Sequence, residues 1–291
     1  MAPIIEVSEE TLRKLDSSCY TLRTDLETKS VESSKQIIEP VAELDKKSWI
    51  IIPEEFTSGK YRAEVNPARL TYCPAVEKAG KELGLKPQNT SRDSLGRDFV
   101  GNINWFESLK LNLALGVGTP DFNEFRTYGE LLYQGMIEEI KVYDVSGKEL
   151  SADFLRGVFD DIFGIKSPWR AEYIDADFKK GKDGLYINSN HVLDANGNLI
   201  PQTSEVLDKS TLMKDKTPGI FLEDYLHSNY TTQGLPKKSV IKGDFYYWYP
   251  RSDNNSVAGF GAYSDGAGLD CNGGPSVRDP GRGVRSISIA W

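Results

Sequence analysis

Few residues in this chain are suited to catalytic or metal chemistry. It contains two histidines, His191 and His227, and three widely spaced cysteines, Cys19, Cys73 and Cys271. Neither histidine has a partner at a spacing typical of metal ligands. The cysteines form neither a CxxC pair nor the framework of a small disulfide-bonded domain. We therefore expect no metal site and no catalytic role for either histidine.

Two further segments resemble ligand-binding loops but depart from the required patterns. Asp175 and Asp177 begin an acidic stretch like that of an EF-hand, but Lys179 stands at the fifth position, where calcium requires an oxygen ligand. Residues 115–118 lack the third glycine of a dinucleotide-binding loop, because Asp121 stands in its place. We expect solvated carboxylates on a strand-to-turn segment, and no phosphate site.

The composition and charge of the chain restrict the kinds of partner that it can bind. The chain has 291 residues, of which 39% are hydrophobic and 27% charged, and its net charge is -8. A protein that neutralises many phosphates needs a basic face, so we expect no nucleic-acid partner. The longest apolar runs fall short of the roughly 20 residues of a membrane-spanning helix. The first residues lack a basic segment followed by an apolar one. We therefore expect neither membrane insertion nor a signal peptide.

The spacing of apolar residues predicts a helical front half. A buried strand is expected at residues 48–52, and the Asp-Ala-Asn-Gly sequence at 194–197 predicts a hairpin turn. Residues 1–40 are predicted to be a helical flanking segment and residues 41–291 a single domain. Helices are predicted at residues 7–28, 74–85, 104–115 and 151–163, and one more starts at Pro120 after a capping Thr119.

The C-terminal part is neutral and rich in glycine, with no Lys and no Glu after Gly243. Period two in an extended chain places alternate residues on opposite faces of a strand, one face buried and the other outward. The run at 284–291 alternates as well and predicts a half-buried closing strand. In the preceding run, Ala267, Leu269 and Cys271 alternate with Gly266, Gly268, Asp270 and Asn272, and Gly274 continues the register.

Five short segments follow one another in the second half of the chain: Pro168-Trp169-Arg170-Ala171-Glu172-Tyr173, Leu185-Tyr186-Ile187-Asn188, Gln233-Gly234-Leu235-Pro236, Gly259-Phe260 and Gly283-Val284-Arg285. Together they resemble the variable proteins of diversity-generating retroelements, most closely those of archaeal viruses. The resemblance implies an α+β, C-type-lectin-like fold of the formylglycine-generating-enzyme subtype, with two main helices and a Gly-rich C-terminal β region. It also implies a non-catalytic ligand-binding protein with its hypervariable region at residues 245–291.

The resemblance predicts which residue types can occur in the C-terminal part of the chain, here called the tail. In these systems adenines of a template are randomised, typically in AAY codons for Asn, and NNY codons encode no Lys, Glu, Gln, Met or Trp. None of these five residue types occurs between Arg251 and Ala290. Tyr263 is expected to anchor the ligand above a concave surface left by glycines. Some of the aromatic residues at 246–249 are expected to pack beneath this surface and others to rim it. The predicted ligand-binding residues, all Asn or reachable from it by changing adenines, are Gly261, Tyr263, Gly266, Gly268, Asp270, Asn272, Gly274, Val277, Asp279 and Gly281.

Two other functions stay open from the sequence. A formylglycine-generating enzyme needs two reactive cysteines close in space, and Cys271 is the one cysteine after Cys73. An iron-dependent sulfoxide synthase needs a histidine cluster, and the chain has two histidines in total. A structural virion protein could carry the same tail without variation among related clones. We predict recognition of a protein or glycan on a target surface, without calcium or another cofactor.

Overall fold

Helices occupy the middle of the chain and strands most of its second half. The computed structural model describes residues 40–57, 59–92, 98–164, 169–251, 254–263 and 266–290. The helix predicted at 7–28 lies outside these residues, as does most of the flanking segment at 1–40. The α-helices in the described part are α1 (Pro74–Glu82), α2 (Trp105–Ala114), α3 (Phe122–Met136), α4 (Ala152–Phe163) and α5 (Leu222–His227), and a short 3-10 helix spans Glu54–Thr57. The strands there are β1 (Ile50–Ile52), β2 (Arg62–Arg69), β3 (Gln88–Arg92), β4 (Asp98–Gly101), β5 (Arg170–Gly181), β6 (Gly184–Leu193), β7 (Leu199–Val206), β8 (Lys216–Ile220), β9 (Phe245–Trp248), β10 (Ser256–Ala262), β11 (Ala267–Gly273) and β12 (Arg282–Ala290).

Capping boxes start the two central helices. The Asn104 side chain accepts from the main-chain N–H of Glu107, whose carboxylate accepts from the Asn104 N–H in return. Asp121 and Glu124 repeat this arrangement at 2.8 and 2.9 Å. The predicted cap at Thr119 is therefore wrong, because the reciprocal pair of hydrogen bonds places the start of α3 two residues later.

Ten of the described strands form one mostly antiparallel sheet. Its order is β1-β2-β12-β5-β10-β11-β9-β8, and the β6–β7 hairpin pairs with the second half of β5. The β11–β9 and β12–β5 pairs are parallel. Strands β3 and β4 pair separately. The predicted α+β class is confirmed, and so is the hairpin around residues 194–197.

Helices cover the large sheet on both faces, but not along its whole width. On one face, α3 and α4 bring Phe125 and Phe163 to within 5.1 and 5.0 Å of the Phe260 ring, between centroids. On the other face, α2 packs against β12, where Ser286 donates to the Asn112 side chain. Because Ser286 is fully buried, the closing strand is not half-buried as predicted but covered on both sides at this point.

A buried network of charges ties β5 to its neighbours. The carboxylate of Asp161 on α4 accepts from Arg69 at 2.7 Å and from Arg170 at 2.9 Å. The carboxylate of Glu172 accepts from two nitrogens of Arg285, at 2.9 and 3.1 Å. All five side chains are at most 5% exposed. Buried charges persist only when they are paired in this way, so the network fixes β2, α4, β5 and β12 relative to one another.

Candidate functional site

The two faces of β11 differ as the alternation predicts. Ala267, Leu269 and Cys271 lie in the main hydrophobic core, and each is at most 3% exposed. Burial raises the pKa of the Cys271 thiol well above its usual value, so the neutral thiol is favoured. The two residues between them, Gly268 and Asp270, point to the opposite face of the sheet, as the period of two requires. We call this opposite surface of β9, β10 and β11, with the loop at 274–281, the site face.

Aromatic rings cover three of the predicted glycines on the site face. The ring of Tyr263 lies over Gly261, that of Tyr246 over Gly266, and that of Trp248 over Gly268. All three glycines are buried. The predicted open, concave surface is therefore wrong at these positions, because neighbouring side chains occupy the space that the missing Cβ atoms leave.

The covering rings belong to a row of four, which we call the aromatic row. Tyr246 stacks on Trp248 at 5.8 Å between centroids, Trp248 meets Tyr263 edge-on at 6.1 Å, and Tyr263 stacks on Trp169 at 6.0 Å. Trp169 is 36% exposed, and the other three are partly buried. Partly exposed aromatic side chains are well suited to anchor a ligand, since each offers a large apolar surface and Tyr and Trp also carry a polar group.

The sequence interpretation named the aromatic segment at 246–249 without separating its roles. In β9 the burial alternates: Phe245 and Tyr247 are buried in the core, whereas Tyr246 and Trp248 lie on the site face. The signal that separates them was present, because a four-residue strand next to β11 must also alternate with period two. Trp169 carried no such signal, since it precedes β5 and reaches the aromatic row through tertiary packing alone.

Asp270 and Asn272 supply polar groups beside the aromatic row. The Asp270 carboxylate lies 3.6 Å from a guanidinium nitrogen of Arg282 and accepts from the main-chain N–H of Asn272 at 3.1 Å. Burial raises the pKa of Asp270, and the nearby Arg282 only partly opposes that rise. The Arg282 guanidinium in turn lies over the Tyr173 ring, 5.2 Å from its centroid. The site face therefore presents a carboxylate and an amide next to large apolar rings.

The loop at 274–281 is held through main-chain carbonyls and through the side chain of Arg278, which pairs with Glu107 of α2. The carbonyls of Pro275 and Asp279 accept from main-chain N–H groups at the start of α2 and just before it, at 3.2 and 3.1 Å. The Val277 carbonyl accepts from the Tyr173 hydroxyl at 2.7 Å, while the Val277 side chain is 51% exposed. Main-chain hydrogen bonds do not depend on the side chain at the same position. The predicted residues Gly274, Val277, Asp279 and Gly281 all belong to this loop.

A second cluster of polar groups is buried away from the aromatic row. His191 lies between Asp175 and Asp177, with its Nδ1 2.5 Å from Asp175 Oδ1 and its Nε2 3.4 Å from Asp177 Oδ1. The side chains of Asp175 and Asp177 are 6% and 10% exposed, so the expectation of solvated carboxylates here is wrong. They are buried because β6 supplies His191 and α2 supplies Trp105, whose ring meets the imidazole edge-on at 5.1 Å.

We expect this cluster to make stability depend on pH. Burial by itself would lower the pKa of His191, but hydrogen bonds to Asp175 and Asp177 outweigh burial and raise it to about 9. Because the unfolded value is about 6.5, the stabilisation is complete below that pH and is lost as the pH rises through about 9. The loss should approach 3 kcal/mol, at about 1.4 kcal/mol per pKa unit.

Urea unfolding of the wild-type chain and of His191→Gln, between about pH 6 and about pH 9.5, measures this effect. The wild-type protein should lose stability across this range by more than the variant does. The difference between the two isolates His191 from other groups that titrate in the same range. Equal dependence on pH in both proteins would contradict the assignment.

Metal ligands do not cluster in the described part of the chain: it contains no group of three or more His, Cys, Asp or Glu side chains arranged to hold an ion. The same residues include two cysteines, Cys73 and Cys271, and both are free thiols. The helices among them include none that is both long and apolar enough to cross a membrane.

Similarity to known proteins gives no independent assignment. No family model, no curated protein and no solved structure matches this chain. The described residues form a mixed α+β structure built on a large, mostly antiparallel sheet with few helices. Any more specific conclusion about fold family or function depends on the chain's own residues, above all on those of the site face.

Proposed function

We propose that this chain is a non-catalytic ligand-binding protein with a C-type-lectin-like fold, and that a retroelement diversifies its site face. The observation that carries the proposal is the segregation of the ten predicted positions. They lie on the site face, opposite Ala267, Leu269 and Cys271 of the main hydrophobic core, and the two of them with large apolar side chains, Tyr263 and Val277, lie outside that core. A surface that varies must be separated from the core in this way, because core changes commonly cost about 2–5 kcal/mol.

The way the chain holds these positions also supports diversification. Strands β10 and β11 pair with each other and with β5 and β9 through main-chain hydrogen bonds, which any residue except proline can make. In the loop at 274–281, the carbonyls of Pro275, Val277 and Asp279 accept hydrogen bonds from the rest of the fold. The side chain of the loop that pairs with α2, that of Arg278 with Glu107, is outside the ten positions. Replacing a side chain at most of the ten positions therefore leaves its structural contacts in place.

The ligand class follows from the groups that surround the variable positions. The site face carries four partly exposed aromatic rings, and the row that they form adjoins Asp270, which pairs with Trp248 across the parallel strands, two residues before Asn272. Aromatic anchors with adaptable polar contacts are typical of protein-binding surfaces. We propose a protein or glycan on a target surface as the ligand, bound without calcium. The two long helices α3 and α4 on one face of the sheet and the Gly-rich C-terminal strands are compatible with the C-type-lectin-like subtype.

Sequencing the DNA around the gene tests the retroelement. We expect a near-copy of the segment that encodes the tail, differing from it at adenines, next to a reverse transcriptase gene. Related clones should differ at the ten predicted positions and agree at Ala267, Leu269 and Cys271. A tail that is invariant among clones and has no near-copy nearby would contradict diversification, and would favour the structural virion protein instead.

A further inference from the structure

We propose that Tyr246 and Trp248 are fixed ligand-contacting residues, and that the residues at 266 and 268 set the positions of their rings. The two aromatic residues lie on β9, within the expected hypervariable region at 245–291 but outside its ten predicted ligand-binding positions, which we call the predicted variable set. Gly266 and Gly268 belong to that set. This inference rests on the proposed function, since it assigns contact residues to the same face. The contact between each ring and its glycine exists in the protein without ligand, so it can be tested without a ligand.

The rings occupy the space in which side chains at 266 and 268 would stand. A Cβ on Gly268 would lie 2.6 Å from Cζ3 of Trp248, and a Cβ on Gly266 would overlap Cε2 of Tyr246. In both cases the overlapped atom lies far out on a ring, and the ring swings about only two rotatable bonds. A new side chain at either position is therefore accommodated mainly by displacing a ring. At 268 the new Cβ would also lie 3.1 Å from the Cβ of Tyr246, a milder contact that a shift of a few tenths of an ångström relieves.

Other glycines in the same strands meet different neighbours. A Cβ on Gly259 would lie 3.2 Å from the main-chain oxygen of Glu172, and a Cβ on Gly273 would lie 3.1 Å from that of Val257. Main-chain oxygens of a paired strand cannot swing aside as a ring can. Neither glycine belongs to the predicted variable set. Within that set the nearest neighbours are side chains for Gly261, Gly266, Gly268 and Gly274, and a main-chain oxygen for Gly281.

Moving a ring changes the ligand surface more than the new side chain does by itself. An aromatic side chain carries about 150–250 Å² of surface, and aromatic anchors dominate the energetics of many interfaces. Trp248 also contacts Tyr263, so its displacement reaches the next member of the aromatic row. Small changes at 266 and 268 would therefore select among arrangements of a constant set of rings, which multiplies the surfaces that a few variable positions can produce.

Double-mutant cycles on the full chain, without ligand, test the coupling. Gly268→Ala is expected to lower the Tm by a few degrees and to increase quenching of tryptophan fluorescence by acrylamide. In a Trp248→Ala background both effects should largely disappear, because the displaced ring is absent. Gly266→Ala with Tyr246→Ala provides a second, independent cycle read out by Tm.

The matched control for these cycles is Gly259→Ala, which meets a main-chain oxygen. Its effect on Tm is expected to be the same with and without Trp248. A Gly268→Ala effect that is equally large in both backgrounds would overturn the inference, as would quenching that does not change when residue 268 is replaced.

A binding experiment separates this inference from the proposed function. Binders to a purified probe protein, lysozyme, are selected from a library of the ten positions, and Trp248→Ala is then introduced into the selected clones. We expect their Kd to rise at least about tenfold. Clones that keep their affinity would overturn the contact role of Trp248. A library without binders, together with intact coupling in the double-mutant cycles, would overturn the proposed function and with it the ligand-contacting role.

Discussion

Replacing Asp161 by alanine is expected to lower the free energy of unfolding by about 3–5 kcal/mol. The Asp161 carboxylate is fully buried and accepts from both Arg69 and Arg170. Without it, two guanidinium groups that are at most 5% exposed would share the interior with no carboxylate between them. Removing one partner of a buried ion pair is costly mainly because the other charge stays buried. Since domains are stable by only about 5–15 kcal/mol, this loss would be a large fraction of the total.

Urea unfolding of Asp161→Ala and of a matched surface variant measures this loss. The matched variant is Glu149→Ala, which removes a carboxylate 3.0 Å from Lys141 in a pair whose side chains are 69% and 50% exposed. Exposed pairs contribute about 0–1 kcal/mol, so this variant should stay close to wild type. Asp161→Asn keeps the shape and removes the charge, and provides a measurable variant if alanine unfolds the chain. Asp161 variants no less stable than Glu149→Ala would contradict the role of the network.

Local patterns were sufficient to predict α2, α4 and the facing of β11. The helices predicted at 104–115 and 151–163 agree with α2 and α4 within a residue or two at each end, because periodicity and capping side chains act over one or two turns. Ala267, Leu269 and Cys271 face the core because period two in a strand leaves no other arrangement. Thr119 was mistaken for a cap because the pattern Thr-Pro ignores the stronger reciprocal pair of Asp121 and Glu124.

Contacts between distant residues could not be predicted from one sequence. Arg285 is 113 residues from Glu172, and Asp161 is 92 residues from Arg69, so no local pattern indicates that they pair. The same holds for His191, whose burial with Asp175 reverses the expectation of a solvated segment. Such pairs form only when the topology brings their strands and helices together.

The glycines of the site face show another limit of prediction from the sequence. Sequence reasoning recognised Gly261, Gly266 and Gly268 as small residues on an outward face, and so inferred an open surface. What fills the space above Gly266 and Gly268 depends on their neighbours across the sheet, here Tyr246 and Trp248 from the parallel strand β9. The space above Gly261 is filled by Tyr263, two residues further along the chain. The rings fill the expected cavity and form the aromatic row. For this reason Tyr246 and Trp248 are proposed to contact the ligand.

The second prediction with a large expected effect compares substitutions on the two faces of β11. Randomising Leu269 and Cys271 is expected to unfold most clones, because both side chains are fully buried. Shortening Leu269 costs about 2–5 kcal/mol, and larger residues at Cys271 overpack the core at about 1–3 kcal/mol, while polar residues at either position would be buried without partners. Randomising the ten predicted positions is expected to leave most clones folded. Substitutions away from the core and from special contacts usually change stability by within about 0.5 kcal/mol. Those at 266 and 268 cost more because they displace a ring, but they remove no side chain from the core.

A direct comparison of two NNY-codon libraries displayed on yeast therefore tests the central claim, that the site face varies independently of the fold. One library covers the ten positions, and the other covers Leu269 and Cys271 alone. Both are sequenced before and after a protease treatment that destroys unfolded clones. The account predicts that the ten-position library survives far better, although it changes five times as many residues. Equal survival of the two libraries, or better survival of the library at Leu269 and Cys271, would contradict it.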